Sequence, residues 1–251
     1  MRARQEAIRR FIEERGDVTI GQLVEQFDQW SEMTIRRDLT RLASDRVIIL
    51  TRGGAKYLPA RYGLSEDIYS ERESRNPSAK REIAEKALTL IEPGTGIFID
   101  SGTTAMALAK ILPDVKSVIV TSAPQVALEV AARKKQASVV LLGGTLSRTS
   151  LAVSDPEIGR QLDRLNIDTA FMATSGFDEN AGFSVGSQLE AMLKRSVIAR
   201  ARRVVLLADS SKIGSMLPFS FAGLDEIDVM VTDSGFPDEL KQKYEKTVKI
   251  L

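Results

Sequence analysis

The sequence contains neither cysteine nor histidine. Without cysteine, the chain can form no disulfide bond and no thiolate metal site. Without histidine, it lacks the commonest metal ligand and the usual general base at neutral pH. Catalysis by a Ser–His or Cys–His pair is therefore excluded. We expect a protein that has no metal site and needs no cofactor.

Long apolar runs are also missing. No segment approaches the roughly 20 apolar residues that a membrane-spanning helix needs. The first ten residues, MRARQEAIRR, are charged and lack the apolar core of a secretory signal. We therefore expect a cytoplasmic protein with no membrane partner.

The composition fits one large domain or two ordinary ones. Of the 251 residues, 43% are hydrophobic, and the net charge is only +1. The charge is unevenly distributed, because residues 1–62 hold 12 Lys and Arg against 9 Asp and Glu. A small basic excess at one end favours an anionic partner there, but it does not identify that partner.

The first sixty residues have the pattern of a winged helix-turn-helix domain. In order, the pieces are a helix that stops at Gly16, a helix opened by the capping-box pair Thr19 and Gln22, a helix at 31–42, and a hairpin of the strands VIIL and AKYL around Gly53-Gly54. Three helices followed by a hairpin predict a fold in which the third helix enters the DNA major groove.

The third helix has one apolar face and one cationic face. Ile35, Leu39 and Leu42 share the apolar stripe, and Ser31 is a natural N-cap. A solvated surface is the alternative interpretation of the cationic face, but the helix-turn-helix order favours DNA binding. The predicted DNA-binding residues are Ser31, Met33, Thr34, Arg36, Arg37, Arg41, Arg52 and Lys56.

These residues are expected to have different roles. Arg37 and Thr34 are predicted to contact base edges, because arginine can bond guanine bidentately. Met33 suits a thymine methyl group. Three further arginines are predicted phosphate contacts, which position the protein without specifying sequence, namely Arg36, Arg41 and Arg52. Asp38 faces the apolar stripe and is expected to pair with an arginine of the same domain.

The remainder of the chain predicts a linker and an α/β domain. We place the DNA-binding domain at 1–58, a polar linker with one short helix at 59–77, and the second domain at 78–251. Short apolar strands alternate with helices there, which predicts a mostly parallel sheet covered by helices on both faces, an αβα sandwich. The stretch SGFDENAG is expected to be a loop.

Polar groups follow several of the predicted strands. In parallel sheets, small molecules bind beyond the carboxyl ends of the strands. The loop SGTT leads into a helix N-terminus, where backbone N–H groups favour an anion; a tight turn with an N-cap is the alternative. The predicted effector-binding residues are Asp100, Ser101, Gly102, Thr103, Thr104, Thr121, Ser122, Gly143, Asp178 and Lys212. Together they suit a small phosphorylated polyol. Glu190 and Lys194 are expected to form an ordinary helix-surface pair.

The quoted motifs resemble the DeoR family of bacterial transcription regulators. SEMTIRRDLTRL followed by TRGGA is similar to the DNA-binding signature of that family. FIDSGTT, LLGG, DTAFMATSGFD and LLADSSKIG stand in the order of its sensor domain. One departure is a turn before the third helix that is one residue longer, with Trp30 in a position where the family commonly has valine.

The resemblance implies a repressor of a carbohydrate-catabolism operon. Its partners would be double-stranded operator DNA and a phosphorylated sugar, and it would act as a homo-oligomer, a dimer or a tetramer. On this resemblance the effector contacts are Asp100, Gly102, Thr103, Thr104, Thr121, Ser122 and Lys212. The sensor domain also resembles ribose-5-phosphate isomerase.

Two other functions are compatible with the sequence. An aldose–ketose isomerase acting on a sugar phosphate would use Asp178 or Glu179 as its base and Lys212 as an electrostatic partner. It would leave the first sixty residues without a purpose. The other alternative is a constitutive DNA-binding protein whose sensor domain no longer responds to a ligand.

Overall fold

The computed structural model describes residues 3–44, 47–51, 53–57 and 66–251. The chain divides into two compact units, Met1–Tyr62 and Gly63–Leu251. Much of the segment predicted as a linker, from residue 66 onward, therefore belongs to the second unit.

The first unit contains three helices and a three-stranded antiparallel sheet, as predicted for a winged helix-turn-helix domain. Its elements are α1 Ala3–Arg15, β1 Asp17–Thr19, α2 Ile20–Gln26, α3 Glu32–Ser44, β2 Ile48–Thr51 and β3 Gly54–Tyr57. The strand order is β1-β3-β2. Strand β1 is not predicted by the sequence, in which Thr19 signals only the start of α2.

Local sequence signals explain where these elements begin and end. Gly16 has a φ of 74°, which ends α1 in a conformation that favours glycine. The Thr19 N–H donates to Gln22 Oε1 at 2.8 Å, and the Gln22 N–H donates to Thr19 Oγ1 at 3.2 Å, so the predicted capping box is confirmed. Gly54 pairs with Thr51 within the hairpin rather than forming its turn. A Cβ there would lie 1.9 Å from the Val18 carbonyl oxygen, so close pairing with β1 requires glycine.

An ion pair ties α3 to α1. Asp38 is only 3% exposed. Its carboxylate accepts hydrogen bonds from Arg4 Nη2 at 3.2 Å and from Gln5 Nε2 at 3.1 Å, and it forms an ion pair with Arg4 Nε. The hydrogen bond from Arg4 holds the pKa of Asp38 below its ordinary value. The predicted pairing of Asp38 with an arginine of the same domain is confirmed.

The second unit is a three-layer α/β unit. Its strands are β4 Gly96–Ile99, β5 Ser117–Thr121, β6 Ala137–Leu141, β7 Thr145–Leu146, β8 Val153–Ser154, β9 Ile167–Ala173, β10 Gly176–Asp178, β11 Gly182–Val185, β12 Ala201–Leu207, β13 Phe219–Ala222, β14 Val229–Val231 and β15 Lys249–Ile250. Its helices are α4 Tyr69–Ser74, α5 Pro77–Leu88, α6 Thr103–Ile111, α7 Pro124–Arg133, α8 Ile158–Leu162, α9 Gln188–Ile198 and α10 Asp238–Tyr244.

Seven strands form the predicted parallel sheet, in the order β15-β14-β12-β9-β4-β5-β6. Alternate residues of each strand enter two separate cores. In β4, for example, Ile97 and Ile99 pack in the core that includes residues of α5, α6 and α7. Phe98 packs in the opposite core, which includes residues of α8, α9 and α10. Because both faces of the sheet are covered, its strands are almost entirely apolar.

The predicted loop SGFDENAG is wrong. This stretch forms the hairpin of β10 and β11, and β13 adds a third antiparallel strand to it. Phe177 and Phe183 are buried, and their tilted rings pack with centroids 4.6 Å apart. The polar residues of the stretch form the turn of this hairpin. They separate two apolar pieces that are too short to be recognised as strands from the sequence.

Asp38→Asn is expected to destabilise the first unit by about 1.5–3 kcal/mol at neutral pH, the usual contribution of hydrogen bonds to a charged group. The folded-state pKa of Asp38 is lowered, so the loss is fully present above the ordinary aspartate pKa and disappears as the pH falls through the lowered value. Denaturation can be followed by the fluorescence of Trp30, the only tryptophan in the chain.

Asp28→Asn is the matched control, because Asp28 is an exposed aspartate of the same unit. It should change stability by less than about 0.5 kcal/mol. Equal losses for the two variants, or a difference that persists at acid pH, would contradict the assigned role of Asp38.

Candidate functional site

The outer face of α3 is cationic and exposed. Its inner stripe, Ile35, Leu39 and Leu42, is at most 1% exposed. Arg37, Thr40 and Arg41 are exposed away from this stripe, and Arg36, which the helical period places on its flank, is exposed too. Met33 is 82% exposed, which is unusual for so large an apolar side chain. A partner that covers this face is a natural explanation for that exposure.

The two neighbouring arginines of α3 differ in their surroundings. Arg36 forms an ion pair with Glu32, one helical turn earlier, at 2.7 Å. Arg37 makes no hydrogen bond or ion pair with any described residue. Its guanidinium group is therefore available to an external acceptor, whereas Arg36 must exchange Glu32 for one.

The start of α3 is capped as predicted. Ser31 Oγ accepts from the Thr34 N–H at 3.3 Å and lies 3.0 Å from Thr34 Oγ1. These hydroxyl groups are thus already engaged in the cap. The longer turn before the helix is packed rather than loose, because Trp30 stacks on Phe27 with centroids 5.0 Å apart. Lys56 is exposed on β3, and Arg52 lies outside the described residues.

In the second unit, the strand order reverses between β4 and β9. From β4 the chain continues through β5 to β6 on one side of the sheet, and from β9 it continues through β12 and β14 to β15 on the other. Ligands of such sheets bind in the crevice beyond the carboxyl ends of the strands at this switch point. The segments at the carboxyl ends of β4, β5 and β12 carry most of the predicted effector residues.

A buried ion pair holds this edge of the sheet together. Asp100 and Lys194 are at most 1% exposed and contact each other. Asp100 also accepts from the backbone N–H groups of Ser101 and Ala173, both at 2.8 Å. Lys194 Nζ donates to the Ala173 carbonyl at 2.9 Å. Asp100 therefore lies beneath the crevice with its oxygens occupied, and it positions the loop instead of facing a ligand.

The expected surface pair of Glu190 and Lys194 is wrong. Both side chains are buried, and Glu190 Oε1 lies 3.7 Å from Lys194 Nζ. Burial raises the pKa of Glu190 to about 7. Burial by itself lowers the pKa of Lys194, but the carboxylates of Asp100 and Glu190 outweigh burial, and the pKa of Lys194 is raised. Ser101 Oγ donates to Glu190 at 3.4 Å, so this predicted effector residue also belongs to the buried network.

The helix that follows the SGTT loop has an uncapped N-terminus, and Thr103 is the loop residue that is partly exposed. Gly102 is the N-cap of α6 with a φ of 101°, and no side chain caps the helix. The first backbone bond within this turn runs from the Met106 N–H to the Gly102 carbonyl, at 3.0 Å. The N–H groups of Thr103 and Thr104 are therefore free of helical acceptors. Such groups, together with the helix dipole, are suited to an anion.

The loop after β5 divides its two hydroxyl groups between different tasks. Thr121 Oγ1 accepts from the Ala123 N–H at 3.0 Å and so shapes the turn. Ser122 Oγ is buried and has no hydrogen-bond partner among the described residues. Of these two predicted effector residues, Ser122 is the one that can still engage a ligand.

Two predicted residues lie apart from the switch point. The backbone of Gly143, after the edge strand β6, bonds to Gln161 at 2.8 and 3.3 Å. Asp178 is in the hairpin, where Oδ1 accepts from the N–H groups of Asn180 and Ala181 at 3.0 and 3.2 Å. A ligand role for either residue stays a prediction, and both have clear structural roles.

Lys212 ends a short 3-10 turn, Ser210–Lys212, that Asp209 caps. A second cation, Lys80, lies nearby. The pKa of Lys80 is lowered to about 8, mainly by burial; the charge of Asp209 opposes this shift and that of Lys212 adds to it. Two positive charges therefore accompany the carboxyl end of β12, where the sequence had indicated one.

A segment that the sequence analysis assigned to the linker forms part of this site. We call residues 66–76 the strap. Its first residue contacts the loop that follows β9, and its last residue contacts the turn that follows β12. Glu66 Oε1 accepts from Ser175 Oγ at 2.7 Å, and Asn76 Nδ2 donates to Ser211 Oγ at 3.3 Å. Its Arg72 forms an ion pair with Glu66 at 3.2 Å. The irregular composition of the segment gave no signal for these contacts.

Among the described residues, no helix is long and apolar enough to cross a membrane. No group of three or more acidic side chains in the same residues is placed to hold a metal ion.

Comparison with protein families is decisive for the class of the protein. The model of the DeoR-like helix-turn-helix domain matches residues 4–60, and that of the DeoR C terminal sensor domain matches residues 75–234. The chain belongs to the DeoR family. Members of this family are transcriptional regulators rather than enzymes, so the isomerase alternative is not retained.

Relatives resemble the chain over most of its length. YulB of Bacillus subtilis strain 168, an uncharacterized HTH-type transcriptional regulator, is 34% identical over 98% of this chain and 95% of its own. The HTH-type transcriptional repressor GlcR of the same organism is 33% identical, over 90% and 86%. The L-fucose operon activator of Haemophilus influenzae is 31% identical, over 97% and 96%.

Among solved structures, ribose 5-phosphate isomerase A from Methanocaldococcus jannaschii is similar to part of the chain. The identity is 18%, the match covers 55% of each chain, and the TM-score is 0.41. The chain thus matches about half the length of that enzyme. This is a likeness of fold, and nothing about activity follows from it.

Lys194→Met is expected to destabilise the second unit of this DeoR-family chain by about 3–5 kcal/mol, because it leaves the buried Asp100 carboxylate without its counter-charge. Calorimetric unfolding measures the effect. Arg195→Met is the control, since Arg195 is the exposed neighbour on α9. A loss for Lys194→Met no larger than that of the control would show that the buried pair does not organise this edge.

Proposed function

We propose that the chain is a sequence-specific repressor of a carbohydrate-catabolism operon, and that a phosphorylated sugar bound to the second unit alters its affinity for operator DNA. The observation that carries the ligand half is the uncapped N-terminus of α6 at Gly102, at the switch point of the sheet. Its free N–H groups offer donors to a phosphate, and Lys80 and Lys212 add positive charge near the same edge.

The exposed face of α3 supports the DNA half of the proposal. Arg37 is exposed and has no partner within the described part of the chain, so it can donate two hydrogen bonds to a guanine without breaking another contact. Met33 projects an apolar group beside it that suits a thymine methyl group. The proposed regulator acts as a homo-oligomer, as the resemblance to its family implies. The relative GlcR is named a repressor, which favours repression here, whereas the L-fucose relative is named an activator.

Arg37→Ala is expected to remove discrimination between the operator and mutated operators while leaving ligand binding intact. A bidentate arginine contact with guanine contributes about 1–3 kcal/mol of discrimination. The operator can be obtained by selection from random DNA, and affinities can be measured by fluorescence anisotropy.

Arg36→Ala is the matched variant on the same helix. If Arg36 contacts a phosphate, its removal weakens binding to all sequences alike and makes binding less dependent on salt. A wild-type pattern of discrimination in Arg37→Ala would refute the assignment of Arg37 to base readout.

Phosphorylated sugars are expected to stabilise the second unit, and the corresponding free sugars are not. A ligand that binds only the folded state at 100 times its Kd adds about 2.7 kcal/mol of stability. Thermal denaturation in the presence of ribose 5-phosphate, glucose 6-phosphate or fructose 1-phosphate, each paired with its unphosphorylated sugar, measures the difference. Equal shifts within every pair would contradict a phosphate-binding site.

A further inference from the structure

The strap is attached to the second unit at both ends. At its start, the Glu66 carboxylate accepts from Ser175 Oγ at 2.7 Å and from the Gly186 N–H at 3.0 Å. The approach is close, because a Cβ on Gly186 would lie 3.1 Å from the Glu66 nitrogen. Near its end, the buried Lys80 donates to the Arg75 carbonyl at 2.6 Å and also to the Arg72 carbonyl.

Between these attachments, the strap carries donors that lack acceptors. Arg72 Nε and Nη2 are buried, and neither has a hydrogen-bond partner in the described ranges of the chain. Nη1 lies 3.2 Å from Glu66 Oε2, an oxygen that also has no hydrogen-bond partner among the described residues. Buried donors without partners are rare and costly, so an unfilled guanidinium edge indicates a missing acceptor. The geometry of Nε and one Nη matches two oxygens of a carboxylate or phosphate.

A second donor without an acceptor lies in the loop that follows β5. Ser122 is fully buried, and its hydroxyl group is also without a partner among the residues described. The contacts of Tyr69 show which elements near Ser122 the strap packs against. Tyr69 lies one helical turn before Arg72, its N–H donates to the Thr149 carbonyl at 2.9 Å, and its side chain interacts with Gln125, three residues after Ser122.

Directed donors, rather than net charge, favour an anion in this position. Arg72 is positive, but the carboxylates of Glu66 and Glu190 lie close enough to interact with it and with each other. The uncapped N-terminus of α6 belongs to the neighbouring loop, where the Ser101 hydroxyl is already engaged by Glu190. The strap and the start of α6 therefore both offer donors to an anion at this position.

We propose that Arg72 and Ser122 bind the anionic group of the ligand, and that the bound anion clamps the strap onto the carboxyl edge of the sheet. The inference rests on the proposed ligand site and adds that the strap covers the bound ligand. Because the strap immediately follows the segment that leads from the DNA-binding unit, clamping it gives the ligand a direct influence on that connection. The ligand class is a phosphate ester or another compact oxyanion.

Hydrogen exchange on the full-length protein tests the clamp. The probes are inorganic phosphate and ribose 5-phosphate, with chloride and ribose as their matched controls. We expect slower exchange in peptides covering 66–76 and 100–106 when either probe binds. Protection of 100–106 without protection of 66–76 would overturn the clamp and leave the proposed function standing. Protection of neither segment by any probe would overturn both.

Variants assign the effect to the named groups. Arg72→Met is expected to raise the Kd for inorganic phosphate by at least about tenfold, the usual effect of losing one charge-assisted hydrogen-bonded contact. Ser122→Ala is expected to raise it by a smaller factor. Arg81→Met, which removes an exposed arginine from α5, should leave it unchanged.

A final measurement separates ligand binding from a structural role of Arg72. In Arg72→Met, operator affinity without ligand should equal that of the wild type, and the response of that affinity to ribose 5-phosphate should be lost. Ser122→Ala provides the same readout should Arg72→Met fail to fold. Wild-type phosphate affinity in both variants would overturn the assignment.

Discussion

The contact between Asp100 and Lys194 organises the second unit of this protein. Asp100 follows β4, and Lys194 is on α9, yet both fasten the end of β9 through the backbone of Ala173. The pair therefore fixes the two strands that border the switch point of the sheet. Asp100 also accepts a hydrogen bond from the Ser101 N–H. This buried carboxylate therefore fixes the orientation of the loop that leads into α6.

The recognition helix and the strand ends could be predicted because their signals are local. The stripe of Ile35, Leu39 and Leu42 repeats with helical period, and the Ser31 cap precedes it directly. The SGTT loop was found because polar residues interrupt an apolar strand just before a helix. In each case, neighbours in sequence determine the structure.

The strap and the buried lysine could not be predicted, because distant residues determine them. Glu66 bonds to Ser175, 109 positions away, and to Gly186, 120 positions away. The spacing of Glu190 and Lys194 indicates a shared helix face but not its burial, which Asp100 makes possible from 94 positions away. Similarly, a carboxylate at the end of a strand has the same pattern whether it contacts a ligand or the loop beside it, as Asp100 does.

The central claim is that one chain couples a phosphorylated ligand to operator DNA, and reciprocity tests it most directly. The Kd of the most stabilising sugar phosphate should be measured by titration calorimetry with and without saturating operator, and the operator Kd with and without that ligand. Coupling requires both affinities to change by the same factor, typically about 5- to 150-fold. An identical ligand affinity in the presence and absence of operator would contradict the account.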